Sequence, residues 1–165
     1  MAAARRVIFC TYPSAYSDLV LNELLAAEDI ELVGIVSSTR ILNKIDSKFR
    51  ASIRQMQLSG LRYVAYLFAV TDLYRFLRWV FRKSSFTQQL RAKNIPCLAT
   101  DDINAAESVA FLTGLQPDFL LSAHFNQLLK PEVLALPRLA CLNIHPSLLP
   151  AFKGVDPAFY ALLRQ

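Results

Sequence analysis

Arg6-Val7-Ile8-Phe9-Cys10-Thr11-Tyr12-Pro13-Ser14 opens as an unbroken apolar run and ends on a turn. It reads as a strand over Arg6–Tyr12. Ser14 or Ser17 then caps a helix that runs to about Ala27, with Leu19, Val20, Leu24 and Leu25 on one side. Glu31–Ser37 is a second strand, and a strand–helix–strand opening of this kind favours a parallel sheet. The same rhythm resumes further along. Ile95–Ala99 reads as a strand, and Asp101 or Asp102 starts a helix through Leu112. Asp118–Ala123 is another apolar run, Pro131–Leu136 a short helix, and Leu139–Ile144 a last strand. Asp156 and Pro157 carry the start signal of a final helix. Four or five strands alternating with helices make a doubly wound, mostly parallel α/β sheet. The first strand–helix turn holds no glycine, and the chain has only Gly34, Gly60, Gly114 and Gly154. That excludes a dinucleotide fingerprint or a P-loop.

A chain of 165 residues suits one domain with a real core. The apolar fraction of 54% and the mean hydropathy of +0.31 exclude disorder. Cys10, Cys97 and Cys141 lack metal or redox spacing and sit in or beside apolar runs. They read as buried free thiols of a reducing compartment, and the chain as cytoplasmic. No signal peptide is visible, because Arg5-Arg6 precedes too short an apolar run. The net charge of +5 is unevenly placed. Residues 40–93 carry twelve Lys and Arg against Asp46 and Asp72, a net +10, so the remainder is −5. A basic block on a mildly acidic body suits an anionic partner.

Residues 41–90 interrupt the α/β rhythm. They read as a helical insertion of two or three helices, packed on the domain with a basic outer face. Arg75, Arg78 and Arg82 share one helical side. The apolar run Tyr63–Val70 is cut by Asp72 and Arg75, well short of the roughly 20 residues a membrane span needs. An interfacial helix over 61–83 is the membrane-surface alternative.

The chemistry concentrates in Cys141-Leu142-Asn143-Ile144-His145-Pro146-Ser147-Leu148-Leu149-Pro150. It reads as a short buried strand that brings an amide and an imidazole to its end, two positions apart and on one side. Pro146 holds His145 extended. An amide donor and a titratable ring suit acyl transfer, one for a developing oxyanion and one to move a proton. Asn-x-His alone is common; with Pro-Ser-Leu-Leu-Pro behind it the signal is specific.

Residues 117–157, from Pro-Asp-Phe-Leu-Leu-Ser-Ala-His-Phe-Asn-Gln-Leu-Leu-Lys-Pro through Asn-Ile-His-Pro-Ser-Leu-Leu-Pro-Ala-Phe-Lys-Gly-Val-Asp-Pro, resemble the N-terminal catalytic domain of folate-dependent formyltransferases. That family includes glycinamide ribonucleotide, methionyl-tRNA and nucleotide-sugar formyltransferases. The first two strands extend the likeness loosely, and 41–90 has no counterpart in it. The resemblance implies formyl transfer from 10-formyltetrahydrofolate to an amine. Asn143 would donate to the oxyanion and His145 would polarise the formyl group and assist proton transfer. Phe125, Gln127, Leu128 and Leu129 align with the loop that grips the pterin, partly by backbone, and Ser147, Leu148, Leu149 and Pro150 with the other folate-side loop. His124 stands where relatives carry a small residue; a metal site with Cys141 and His145 lacks recognisable spacing. The family's catalytic Asp lies tens of residues after the His, so the 1–165 chain is expected to be an incomplete N-terminal piece. Lys153-Gly154-Val155-Asp156-Pro157 is similar to the methionyl-tRNA and sugar types, which makes methionyl-tRNA the leading acceptor, held in part by the basic segment 40–93. A nucleotide-sugar or other small amine, or a catalytically incomplete folate-binding scaffold, are the alternatives.

Overall fold

Five parallel strands line up in the order β3-β2-β1-β4-β5. They are β1 (Arg5–Thr11), β2 (Ile30–Ser38), β3 (Cys97–Thr100), β4 (Phe119–Ala123) and β5 (Ala140–Ile144). The computed structural model describes residues 3–40, 60–80 and 90–145. The connecting helices are α1 (Ala15–Ala26), α2 (Leu61–Phe68), α3 (Tyr74–Val80), α4 (Ala106–Gly114) and α5 (Pro131–Leu134). The chain builds outward from β1 to β2 and β3, then crosses back to lay β4 on the other side of β1 and β5 beyond it. The expected doubly wound α/β sheet is therefore the observed one.

β1 is central and covered on both faces, which is why its run is apolar without alternation. Ile8 and Cys10 face one cluster with Val36, Ile103, Leu112, Leu120 and Val133. Phe9 faces the other, with Leu21, Leu24, Leu32, Ile35, Leu90 and Ala123. Gly34 lies in β2 beside Leu115 and Phe111, where an added methyl would meet the Leu115 side chain. At the amino ends of the strands, Asp118 binds the Arg6 amide at 3.0 Å and the Arg138 guanidinium at 2.6 Å. That tie fastens β4 to the start of β1 and to the turn into β5.

Several expectations need correction. Of the side expected for α1, Leu24 is buried and Val20 and Leu25 pack against the same cluster, but Leu19 is 64% exposed, and Ser17, Asp18 and Leu21 complete the buried side. The helix expected from Asp101 or Asp102 begins only at Ala106. Asp102 instead holds a turn, accepting from the Asn104 amide at 3.0 Å while its own amide donates to Thr100 Oγ1 at 3.1 Å. Cys10 is buried, but Cys97 is exposed and Cys141 half-buried, because β3 and β5 are the sheet's two edges. For the same reason β5 is not a buried strand: Leu142, Asn143 and Ile144 are exposed. Within 60–80, α2 and α3 are joined by a π turn over Ala69–Leu73. Leu61, Phe68, Leu73, Phe76, Leu77 and Val80 of this stretch are exposed, while the side chains of Arg75, Arg78 and Arg82, on which the expected basic face rests, lie outside what is described. The remainder of the insertion and the segment from Pro146 onward lie outside the described residues. Among the described residues, no helix is long and apolar enough to cross a membrane.

Candidate active site

Strand order reverses between β1 and β4, and the carboxyl end at such a reversal is the usual ligand position in a sheet of this type. All five strands end on this side; the loops nearest the reversal are 12–14 after β1 and 124–130 after β4, with β5 alongside β4. Asn143 lies in β5 and His145 just past its end. Asn143 pairs in register with Ser122 of β4, and the Ser122 hydroxyl donates to its Oδ1 at 2.9 Å. The Leu142 carbonyl lies 3.3 Å from the same hydroxyl. The amide oxygen is thus held, and Nδ2 is the end left to donate outward. Two positions on, His145 is half-buried just past the strand end.

The 124–130 loop is clamped by side-chain amides, one of them Gln127, which the sequence had placed in the pterin-side loop. Gln127 is buried, its Nε2 donating to Ser38 Oγ at 2.9 Å and to the Thr100 carbonyl at 3.1 Å. Its Oε1 accepts from the Ile103 amide at 2.6 Å. Asn126 donates to the Arg40 carbonyl at 2.8 Å, and Asn104 donates to the Leu128 carbonyl at 2.9 Å. The Lys130 amide closes the loop on Asn104 Oδ1 at 2.8 Å. Buried amides satisfied this fully are rigid supports. Gln127 therefore faces the interior as a strut, while Leu128 is 86% exposed at the rim. Phe125 and Leu129 are partly buried against the core. The result is a rim braced from within, with Leu128 at its edge and Phe125 and Leu129 behind it. Ser147, Leu148, Leu149 and Pro150 fall outside the described residues.

The first loop is closed by its own chain. Ser14 caps α1, with its amide donating to Ser17 Oγ at 2.6 Å and the Ser17 amide returning to Ser14 Oγ at 3.3 Å. Asp18 occupies the first turn and accepts from the Tyr74 hydroxyl at 2.7 Å. An acid and an internal cap there oppose the anion binding that helix starts otherwise offer. His124 adopts a left-handed backbone, φ 50°, and its Nδ1 lies 3.3 Å from the Tyr12 carbonyl. Burial pushes the Cys10 thiol far up, so it stays a neutral core group. No group of three His, Cys, Asp or Glu able to hold a metal occurs among the described residues.

Of the residues picked from sequence, Asn143 and His145 share the end of β5, and Phe125, Gln127, Leu128 and Leu129 share the neighbouring loop. Ser122 and Asn104 were missed. Ser122 had a faint signal, being the one hydroxyl within an otherwise apolar strand.

Comparison with known proteins places this geometry. The chain is 43% identical over 70 residues to the methionyl-tRNA formyltransferase of Thermotoga neapolitana, covering 42% of this chain and 22% of that one. It is 31% identical over 115 residues to the methionyl-tRNA formyltransferase of Clostridium tetani, covering 58% and 37%. The matches thus span between about a fifth and two fifths of these relatives' length. Among solved structures, phosphoribosylglycinamide formyltransferase from Bacillus halodurans superposes with a TM-score of 0.57 at 18% identity, over 98% of this chain and 66% of that one. Glycinamide ribonucleotide transformylase 1 from Geobacillus kaustophilus gives 0.56 at 16% identity, over 98% and 68%. These likenesses show the fold. The formyl transferase family model matches residues 41–164, including the segment that has no counterpart in the motif-based likeness, and by that match the chain belongs to the formyl transferase family.

Proposed function

We propose that this chain is the catalytic portion of an enzyme that moves a formyl group from 10-formyltetrahydrofolate to an amine, with methionyl-tRNA as the acceptor. The observation that carries the reading is Asn143, its amide oxygen held by Ser122 at the carboxyl end of β5, with His145 two residues on. The donor, when bound, supplies the formyl carbon and its oxygen. The backbone rim of 124–129, with Phe125, Leu128 and Leu129 around it, would hold the pterin together with Ser147, Leu148, Leu149 and Pro150. Gln127 stiffens that rim from below. Asn143 Nδ2 donates to the formyl oxygen as it gains charge, an interaction strongest when the charge is greatest. His145 takes the proton that the attacking amine must lose.

Three features support this acceptor. The curated relatives quoted above are methionyl-tRNA formyltransferases. The start of α1, capped by Ser14 and carrying Asp18, opposes a phosphate at the first loop, which argues against a ribonucleotide acceptor held there. The basic segment 40–93, read as an insertion within the domain over 41–90, suits contacts to a nucleic-acid backbone.

The test uses the full-length protein. His145→Ala abolishes formyl transfer to methionyl-tRNA while 10-formyltetrahydrofolate still binds. Transfer at the parent rate by the His145→Ala protein removes this residue from the mechanism. Folate binding by the parent with no transfer to any amine supports instead a scaffold that holds the cofactor.

A further inference from the structure

We infer that α2, the π turn and α3 form one apolar stripe that lies flat on the surface of an anionic lipid bilayer. The inference stands independently of the transfer chemistry.

The stretch is amphipathic in the wrong order for a helix that merely covers a domain. Such a helix turns its apolar side to the body and its polar side to water. Here the ties to the body are polar. The Tyr66 hydroxyl is hydrogen-bonded to that of Tyr16, and the Tyr74 hydroxyl donates to Asp18 at 2.7 Å, both partners being on α1. The exposed residues are the apolar ones, Leu61, Phe68, Leu73, Phe76, Leu77 and Val80, with Leu61, Phe68 and Phe76 at 69%, 55% and 56%. A single exposed leucine is ordinary; six large apolar side chains in one stretch make a patch that marks a contact surface.

Spacing puts the six on one side. Leu61 and Phe68 are seven apart in α2, and Leu73, Phe76, Leu77 and Val80 run i, i+3, i+4, i+7 into α3. Phe68 and Leu73 are five apart, the period of the π turn that joins the two helices. An uninterrupted α-helix would turn Leu73 about 140° away from Phe68. The π turn thus aligns two short apolar sides into one continuous stripe.

Charge selects the occupant. Residues 60–80 carry Arg62, Arg75 and Arg78 against Asp72, a net +2, on a chain of +5. A second copy of the chain would bring like charges together. A nucleic-acid backbone offers no apolar surface to cover the stripe. An anionic bilayer offers hydrocarbon to the leucines and phenylalanines and phosphate to the guanidinium groups. The stretch is also rich in aromatic residues, with Tyr63, Tyr66, Tyr74 and Trp79 beside the two phenylalanines, and tyrosine and tryptophan favour the zone between headgroup and hydrocarbon. Among the described residues no helix is long and apolar enough to cross a membrane, so the contact is to one surface.

The test sediments the full-length protein with vesicles of phosphatidylcholine alone and of phosphatidylcholine with about one third phosphatidylglycerol. The parent sediments with the mixed vesicles, more weakly with the neutral ones, and its binding falls as salt rises. The double variant Phe68→Ser and Leu77→Ser lowers the partition coefficient about tenfold or more, while its urea midpoint stays at the parent value because both positions are exposed. Phe68→Leu with Leu77→Phe keeps the parent's binding. Should the serine double variant not fold, Leu61→Ser, at the first position of α2, takes its place. Absence of parent binding to the mixed vesicles overturns the inference. Equal binding by the parent and a folded serine variant does so too, since basic charge alone would then account for it. A dimer that forms without vesicles and is abolished by the serine substitutions also overturns it, because a second copy would then cover the stripe.

Discussion

In the proposed transfer, Asn143 is useful only if its amide is held still. A donor aimed at a developing negative charge helps because it needs no reorganisation when that charge appears. Ser122 supplies the hold, from the neighbouring strand and at 2.9 Å. Ser122→Ala therefore lowers kcat for formyl transfer by about tenfold, less than the roughly hundredfold or greater loss expected for removing the donor itself with Asn143→Ala. KM for 10-formyltetrahydrofolate moves little in either. Steady-state kinetics on the two variants check this, and a Ser122→Ala protein with parent kcat shows that Asn143 needs no such support. The contrast also marks what could be read from sequence. Asn143 and His145 stand out because they are polar, two apart, at the end of an apolar run. Ser122 gains its role from the register of β4 against β5, twenty-one residues away, and the Asn104 and Gln127 clamps likewise join segments distant in sequence. Partners set by pairing across a sheet leave no local pattern to find.

Among elements, α1 shows how far local pattern reaches. Its cap was legible because Ser14 and Ser17 stand three apart before a run of helix formers. Its buried side was legible only in part. Leu19, Val20, Leu21, Leu24 and Leu25 leave little contrast between faces, and polar Ser17 turns inward to serve the turn before it while Asp18 meets the Tyr74 hydroxyl. The late start of α4 has a similar cause, since Asp102 satisfies a turn and does not cap a helix. Ser14→Ala, which removes the acceptor for the Ser17 amide, costs about 1 kcal/mol of stability, read as a lowered urea midpoint with unchanged slope. Gly34 gives a second test. Its absent side chain lets Leu115 and Phe111 close on β2. Gly34→Leu forces that contact apart and costs about 1–3 kcal/mol. Gly34→Ala costs less, because the atom in the way is the end of the rotatable Leu115 side chain. Equal midpoints for the parent and Gly34→Leu proteins would show that the helix layer yields freely there.

The molecule as a whole divides its labour along the strands. The amino ends carry ties, and the carboxyl ends carry the loops that act. Asp118 is the chief tie. Its carboxylate receives the Arg6 amide and the Arg138 guanidinium, and those interactions, the amide first, hold its pKa below the ordinary 3.8. A carboxyl whose pKa is lower folded than unfolded favours the folded state above its unfolded value, and the benefit fades as pH falls through the folded one. The contribution of Asp118 is therefore complete at neutral pH and is lost progressively below about pH 4. Arg138 is largely exposed, so salt weakens its share while the amide bond persists. Asp118→Asn accordingly unfolds at lower urea than the parent at pH 7, and the gap narrows as pH drops from 4 toward 2. Because the tie sits at the opposite end of β4 from His124 and Ser122, kcat of the folded variant at pH 7 equals that of the parent. Urea titrations across this pH range, paired with kinetics at pH 7, separate the two statements. A gap that stays constant down to pH 2 would mean that the Arg6 and Arg138 contacts do not favour the ionised carboxyl, and a fall in kcat would mean that strand ends on opposite sides of the sheet are coupled through β4.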